Sequence, residues 1–210
     1  MFRSLLFAVL MSSLFTASSD AAGLAVAKDL VFSLDPVEGW TVHSADPPEA
    51  LVKETARHVA HEPAAANATP EQIEIVARKR LAANEAIVYH ASSGAHLDID
   101  FSPCDEGASA PNSGMLKNSA EYAARSLIKE SDVTDAVWDL RAVKFAGAED
   151  TYLLSVKFLK HGAPMVFRGY IGTVKRSWFF LYFTAPGDDQ QVLREMESML
   201  AKASIRIVGP

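Results

Sequence analysis

The sequence predicts an α/β protein: a single antiparallel sheet with helices on both faces, forming an α/β/α sandwich. Three observations point there. Residues 137–183 read as three consecutive antiparallel strands, in which Tyr152, Leu154, Val156 and Phe158 alternate with Leu153, Ser155, Lys157 and Leu159 at the period of a pleated strand. The run Trp178-Phe179-Phe180-Leu181-Tyr182-Phe183 does not alternate, and an apolar strand of that length has both faces buried. Directly after it, residues 188–203 place Val192, Leu193, Met196, Met199 and Leu200 on one helical stripe, the face to lay on a sheet.

The chain begins with one positive charge, Arg3, an apolar core over residues 5–11 and small residues at Ala17, Ser18 and Ser19. This is the pattern of a secretory signal peptide over residues 1–19, too short in its core to span a bilayer, with cleavage expected near Ser19 or Ala21. Residues 20–210 then form one domain of ordinary size, with a helical insertion at about 45–84. The formal charge is −6 and becomes −7 once Arg3 leaves, which argues against nucleic acid or an anionic membrane as a partner. Cys104 is the one cysteine, so the fold holds without an internal disulfide.

Taken in order, residues 30–36 and 40–43 read as two short strands, with Asp35-Pro36 and Glu38-Gly39 as the reversal of an opening hairpin. Asp46 ahead of Pro47, Pro48 and Glu49 starts a helix over 50–61. Thr69-Pro70-Glu71-Gln72 has capping-box spacing for a second helix reaching about Asn84. Strands return at 86–90 and 95–101, joined by Ser92-Ser93-Gly94, with Leu97, Ile99 and Phe101 on the buried side and His96, Asp98 and Asp100 on the wet side. Residues 102–117 lack periodicity and read as a long loop. Asn118-Ser119 caps a helix to about Glu130, and the strands of the meander turn at Ala146-Gly147 and at residues 161–164, where Gly169 and Gly172 mark a flexible point in a strand. Ile205-Arg206-Ile207 is a terminal strand able to close an edge.

A leader, then "FSLDPVEGWTV", "NSAEYAARSLI", "WFFLYFTAP" and a closing "ASIRI" resemble the PsbP-like proteins, a group that takes in bacterial DcrB-like exported members and the eukaryotic Ran-binding Mog proteins. The match covers residues 30–42 and 118–208. The resemblance implies a sheet sandwiched by helices and a protein that binds other proteins; it carries no set of binding residues onto this chain. The segment 45–84 departs from the simpler family pattern.

Several constellations invite chemistry. His58, His61 and Glu62 sit near a helix end, but His-x-x-His-Glu is neither the zincin pattern nor its inversion, and no third histidine is near in sequence. Histidines there also suit the negative helix end without any metal. Asp98, Asp100, Asp105 and Glu106 fail the EF-hand pattern, with Pro103 at its glycine position and Ser109 at its bidentate acid position. There is no Gly-x-Ser-x-Gly elbow, and Cys104 lies among acids that disfavour a thiolate. Ser92 or Ser93 with His96 and Asp98 is a conceivable triad without a signature context. Neither phosphate-loop pattern occurs. The aromatic residues Trp40, Trp138, Trp178 and Tyr170 are core candidates, and a tryptophan exposed beside residues 102–117 would mark an interface.

The expectation is therefore a periplasmic or secreted bacterial protein that is not an enzyme, with no catalytic residues, no metal site and no cofactor. It would act as a protein-binding module, such as an immunity or escort protein for a secreted effector. A periplasmic carrier of a small apolar ligand is the alternative, marked by a large cavity. A hydrolase is the second alternative.

Overall fold

The structure, a computed structural model, describes residues 22–208 apart from Lys28, Ala45, Glu106 and Ala108. The expected signal peptide lies outside the described residues. Among the described residues, ten strands and four α-helices follow in order: β1 (Ala22–Ala27), β2 (Leu30–Leu34), β3 (Trp40–His43), α1 (Glu49–Ala60), α2 (Pro70–Leu81), β4 (Ala86–His90), β5 (His96–Pro103), α3 (Ser113–Leu127), β6 (Val133–Val143), β7 (Asp150–Lys160), β8 (Ala163–Val174), β9 (Ser177–Pro186), α4 (Gln190–Lys202) and β10 (Ser204–Ile207). The α/β class with antiparallel pairing holds, and helices lie on both faces of the larger sheet.

The single sheet divides in two. Seven strands run β3-β4-β5-β9-β8-β7-β6, and a separate sheet of three runs β1-β2-β10. The expected opening hairpin does not form: β2 pairs with β1 and β10, whereas β3 pairs with β4. Pro36 and Gly39, with Gly39 at φ 89°, carry the chain out of one sheet and into the other instead of folding it back on itself. The terminal strand does close an edge, that of the small sheet. The meander holds four strands, because residues 163–174 pair along their whole length with both neighbours.

Register decides what each face carries. Ile87, Asp98, Tyr182, Gly169 and Leu154 stand opposite one another across five strands and so share a face. The neighbouring row, Val88, Leu97, Phe183 and Arg168, shares the other. On that second face Phe101 and Phe179 meet Phe32 of the small sheet, Phe145 and Met196 of α4 in the principal core. Ring centroids there lie 5.6 to 6.4 Å apart. Each such side chain contributes about 1.5–3 kcal/mol by leaving water.

The first face is covered in two pieces. Leu51 and Val52 of α1 join Ala77 and Leu81 of α2 over Ile87 and Tyr89, while Ala124 of α3 packs over Leu154, Val156 and Phe158. Along β9, Phe179, Leu181 and Phe183 are fully buried, but Trp178, Phe180 and Tyr182 are half-buried. The apolar run is thus sealed on one side only.

Local signals set the helix ends. Thr69 accepts from the Gln72 amide at 3.3 Å while the Gln72 side chain accepts from the Thr69 amide at 2.8 Å, closing the expected capping box. The start of α1 has no side-chain cap, so Asp46 does not serve as one. α3 begins earlier than its expected cap at Asn118: Asn112 accepts from the Met115 amide at 3.0 Å, which takes residues 113–117, the end of the expected 102–117 loop, into the helix.

Candidate functional site

The site lies at one end of the sheet, where three segments meet. α1 carries Glu54, Arg57 and His58, and His61 caps its C-terminal end, at intervals of three, four and seven residues from Glu54 and hence along one helix face. The turn between α3 and β6 supplies Glu130, Ser131 and Asp132. The β7–β8 hairpin supplies Lys160 and His161, with His161 at φ 51° and Gly162 at φ 79°, the paired positive values of a two-residue type I′ turn. The His161 amide donates to the Asp132 carbonyl at 3.1 Å, so the two turns are fastened to each other through backbone.

Between these segments opens a cavity of about 760 Å³, walled by the groups just named together with Glu62, Arg80, Lys129 and Met165. The wall is charged in both signs, with Met165 its apolar member. Part of the charge is internally matched: Arg80 donates to both oxygens of Glu62 at 2.5 and 2.7 Å, and Lys160 lies 4.0 Å from Glu54. The Arg80 hydrogen bonds hold the Glu62 carboxyl below its ordinary range.

The histidines divide. His58 Nδ1 is 3.9 Å from Asp132 Oδ2, and His161 Nε2 is 3.2 Å from the same oxygen. Burial, aided by Lys160, lowers the pKa of His58 and favours the neutral ring. His61 bonds instead to the Arg57 carbonyl of its own helix at 2.7 Å, and Glu62 is occupied by Arg80. Of the sequence trio only His58 joins a cluster, and its companions come from residues 130–132 and 161. A turn was legible at 161–164, but no linear spacing connects positions 58, 132 and 161.

The other sequence candidates fare differently. Asp98 and Asp100 do not lie on a wet face. Oδ1 of Asp98 is buried with no hydrogen-bond partner, and desolvation raises the pKa of both acids. The reason is register: their face is covered by helices on either side, and Tyr182, its phenol pushed up chiefly by burial, stands directly across from Asp98. The serines do not assemble with His96 and Asp98. Ser93 pairs with His90 Nδ1 at 2.8 Å, and His96 Nδ1 lies 3.2 Å from the Gly94 carbonyl. Cys104 is half-buried, its amide bonded to the Arg176 carbonyl at 2.8 Å.

Of the three indoles, Trp40 is buried and donates to Glu195 at 2.9 Å. Trp178, opposite Ser102, is the one beside the connecting loop; it is half-buried and stacked on Phe180 at 5.9 Å. The exposed one, Trp138 at 39%, stands on β6 at the far edge of the sheet, next to Val137 at 72%.

Among the described residues, no helix is long and apolar enough to cross a membrane. No protein-family model matches the chain, and no curated protein matches it in sequence. Similarity appears in the fold. The solution structure of cyanobacterial PsbP, CyanoP, from Synechocystis sp. PCC 6803 superposes with a TM-score of 0.50 at 10% identity, covering 90% of this chain and 98% of that one. LpqN of Mycobacterium tuberculosis, described as involved in cell envelope biogenesis, gives a TM-score of 0.50 at 8% identity over 89% and 90% of the two chains. The expected PsbP-like fold is the fold this chain shares with them.

Proposed function

We propose that the chain is an exported, non-catalytic binding module of the bacterial envelope, placed with the DcrB-like members of its fold group, and that it engages another protein. The observation that carries the reading is the open cavity of about 760 Å³ with its two-signed wall, built from segments that a sheet end holds in fixed relation. A wall of matched and unmatched charges suits a polar, charged surface better than an apolar ligand. The leader-like residues 1–19 support export, and the shared fold with an envelope-biogenesis protein supports the setting. Binding and escorting, or neutralising, a secreted protein is the specific role we favour within that class.

A second reading is favoured by the same cavity: a carrier, now of a small polar ligand in place of the apolar one first expected. Affinity capture from native envelope extract with the wild-type chain and an Arg57→Glu variant separates the two. A stoichiometric protein partner held by wild type and lost by the variant supports the protein-binding role. Capture of no protein, with a small molecule retained in native mass spectra, overturns it in favour of the carrier.

A further inference from the structure

The cluster inside the cavity supports an inference independent of any partner: we infer that His58, Asp132, Glu130 and His161 form a binding site for a divalent transition metal of the zinc class. One donor atom from each of His58, Glu130 and Asp132 lies within 4.8 Å of the others. His161 adds a second imidazole 3.2 Å from the Asp132 oxygen that His58 approaches at 3.9 Å. Donors at about 2.0–2.1 Å from a tetrahedral ion sit roughly 3.3 Å apart; the His161–Asp132 spacing of 3.2 Å fits that value, whereas His58 has to close in from 3.9 Å and the exposed His161 ring has to turn toward His58 and Glu130 to complete the set.

The donor set, two imidazoles and two carboxylates, matches borderline cations that accept mixed nitrogen and oxygen ligands. The site is supported and not a chance meeting of surface charges, because the backbone bond from His161 to Asp132 fixes the two turns that carry three of the four donors. Because the cluster faces an open cavity, a coordination position remains accessible to water or to an anionic group of a bound partner. Lys160 opposes the ion, and its pairing with Glu54 offsets that only in part.

The test is calorimetric titration of Zn²⁺ into the untagged chain. The expected result is one ion per chain at micromolar affinity or better. His58→Ala and Asp132→Asn each weaken it by roughly tenfold or more, Lys160→Met tightens it, and His43→Ala, on β3 and outside the cavity wall, leaves it unchanged. Variant circular dichroism must match wild type for these to count. Ring-nitrogen NMR shifts of the wild-type chain give a reading that needs no substitution: among six histidines, His58 and His161 should shift on zinc addition while His43, His61, His90 and His96 stay. Absence of zinc binding, or shifts at other histidines alone, overturns the inference and leaves His58 and His161 as neighbours of Asp132 without a metal.

Discussion

The two faces of the seven-stranded sheet are covered by different means. Against α4 and the small sheet, the strands present a mainly apolar layer, with Arg168 paired to Glu197 of α4 on the same face, and there Phe179 and Phe183 are wholly buried with Phe32 of the small sheet. Against α1, α2 and α3, the cover is split between two helical groups, and ionisable side chains occupy the same face: Asp98 and Asp100 on β5, with the His58 cluster at the end. One face does the work of folding. The other keeps polar groups out of bulk water without fully pairing them, an arrangement that costs stability and is found where binding takes place.

The sharpest way to test this division is to damage the apolar face. Phe179→Ala removes a ring in contact with Phe101 and Phe145, and should destabilise by about 3–5 kcal/mol in urea unfolding. Zinc affinity of the surviving folded fraction should be unchanged, since no part of the cluster touches that core. Gly147→Ala comes next. Its φ of 86° and the Ile205 carbonyl, 1.8 Å from where a Cβ would stand, force the β6–β7 connection off β10, at a cost of about 1–3 kcal/mol. If Gly147→Ala were silent, the small sheet would not be anchored through that turn.

The apolar face was legible in the sequence and the other was not, for a physical reason. Period-2 alternation and the stripe of α4 report burial against an apolar layer, so β5, β7 and α4 could be read directly, whereas the unbroken apolar run of β9 marked a strand but overstated the burial of Trp178, Phe180 and Tyr182. Alternation cannot say what covers the polar side. Asp98 and Asp100 have the spacing of a solvated row, and only the placement of helices flanking Tyr182 and Ile87 makes that row a partly dry one. The misread opening hairpin has the same origin, because Leu30–Leu34 and Trp40–His43 both have strand character and the choice between one sheet and two rests on long-range pairing with β10 and β4. The cluster of His58, Asp132 and His161 joins positions more than a hundred residues apart, through two turns whose own sequences mark only a change of direction.

Asp98 sets the two faces apart through pH. Its carboxyl is raised above the ordinary value of 3.8 by desolvation, so the folded state holds the proton more tightly than the unfolded chain does. Stability from this group is fully present below the unfolded value and is lost as pH rises through the folded one. Asp98→Asn should therefore stabilise the protein near neutrality, by about 1–2 kcal/mol for relief of a buried, unpartnered charge. The gain should vanish toward pH 3. Thermal melts across pH 3–8 give the comparison, and a gain that persisted at acid pH would mean that Asp98 is not the group responsible.

The smallest effect separates the two helical groups from each other. α2 buries only Ala77 and Leu81 of its twelve residues, so its order depends heavily on the Thr69–Gln72 capping box. Thr69→Ala should cost about 1 kcal/mol, expressed as faster amide exchange within α2 and little change in global melting. The consequence for the cavity is selective. Arg80, which α2 carries, braces Glu62 across the cavity wall, whereas His58 is held by α1 and its companions by the two turns. Loosening α2 should thus weaken partner or ligand capture while sparing zinc affinity; a parallel loss of both would mean that the cavity wall and the metal cluster are one mechanical unit.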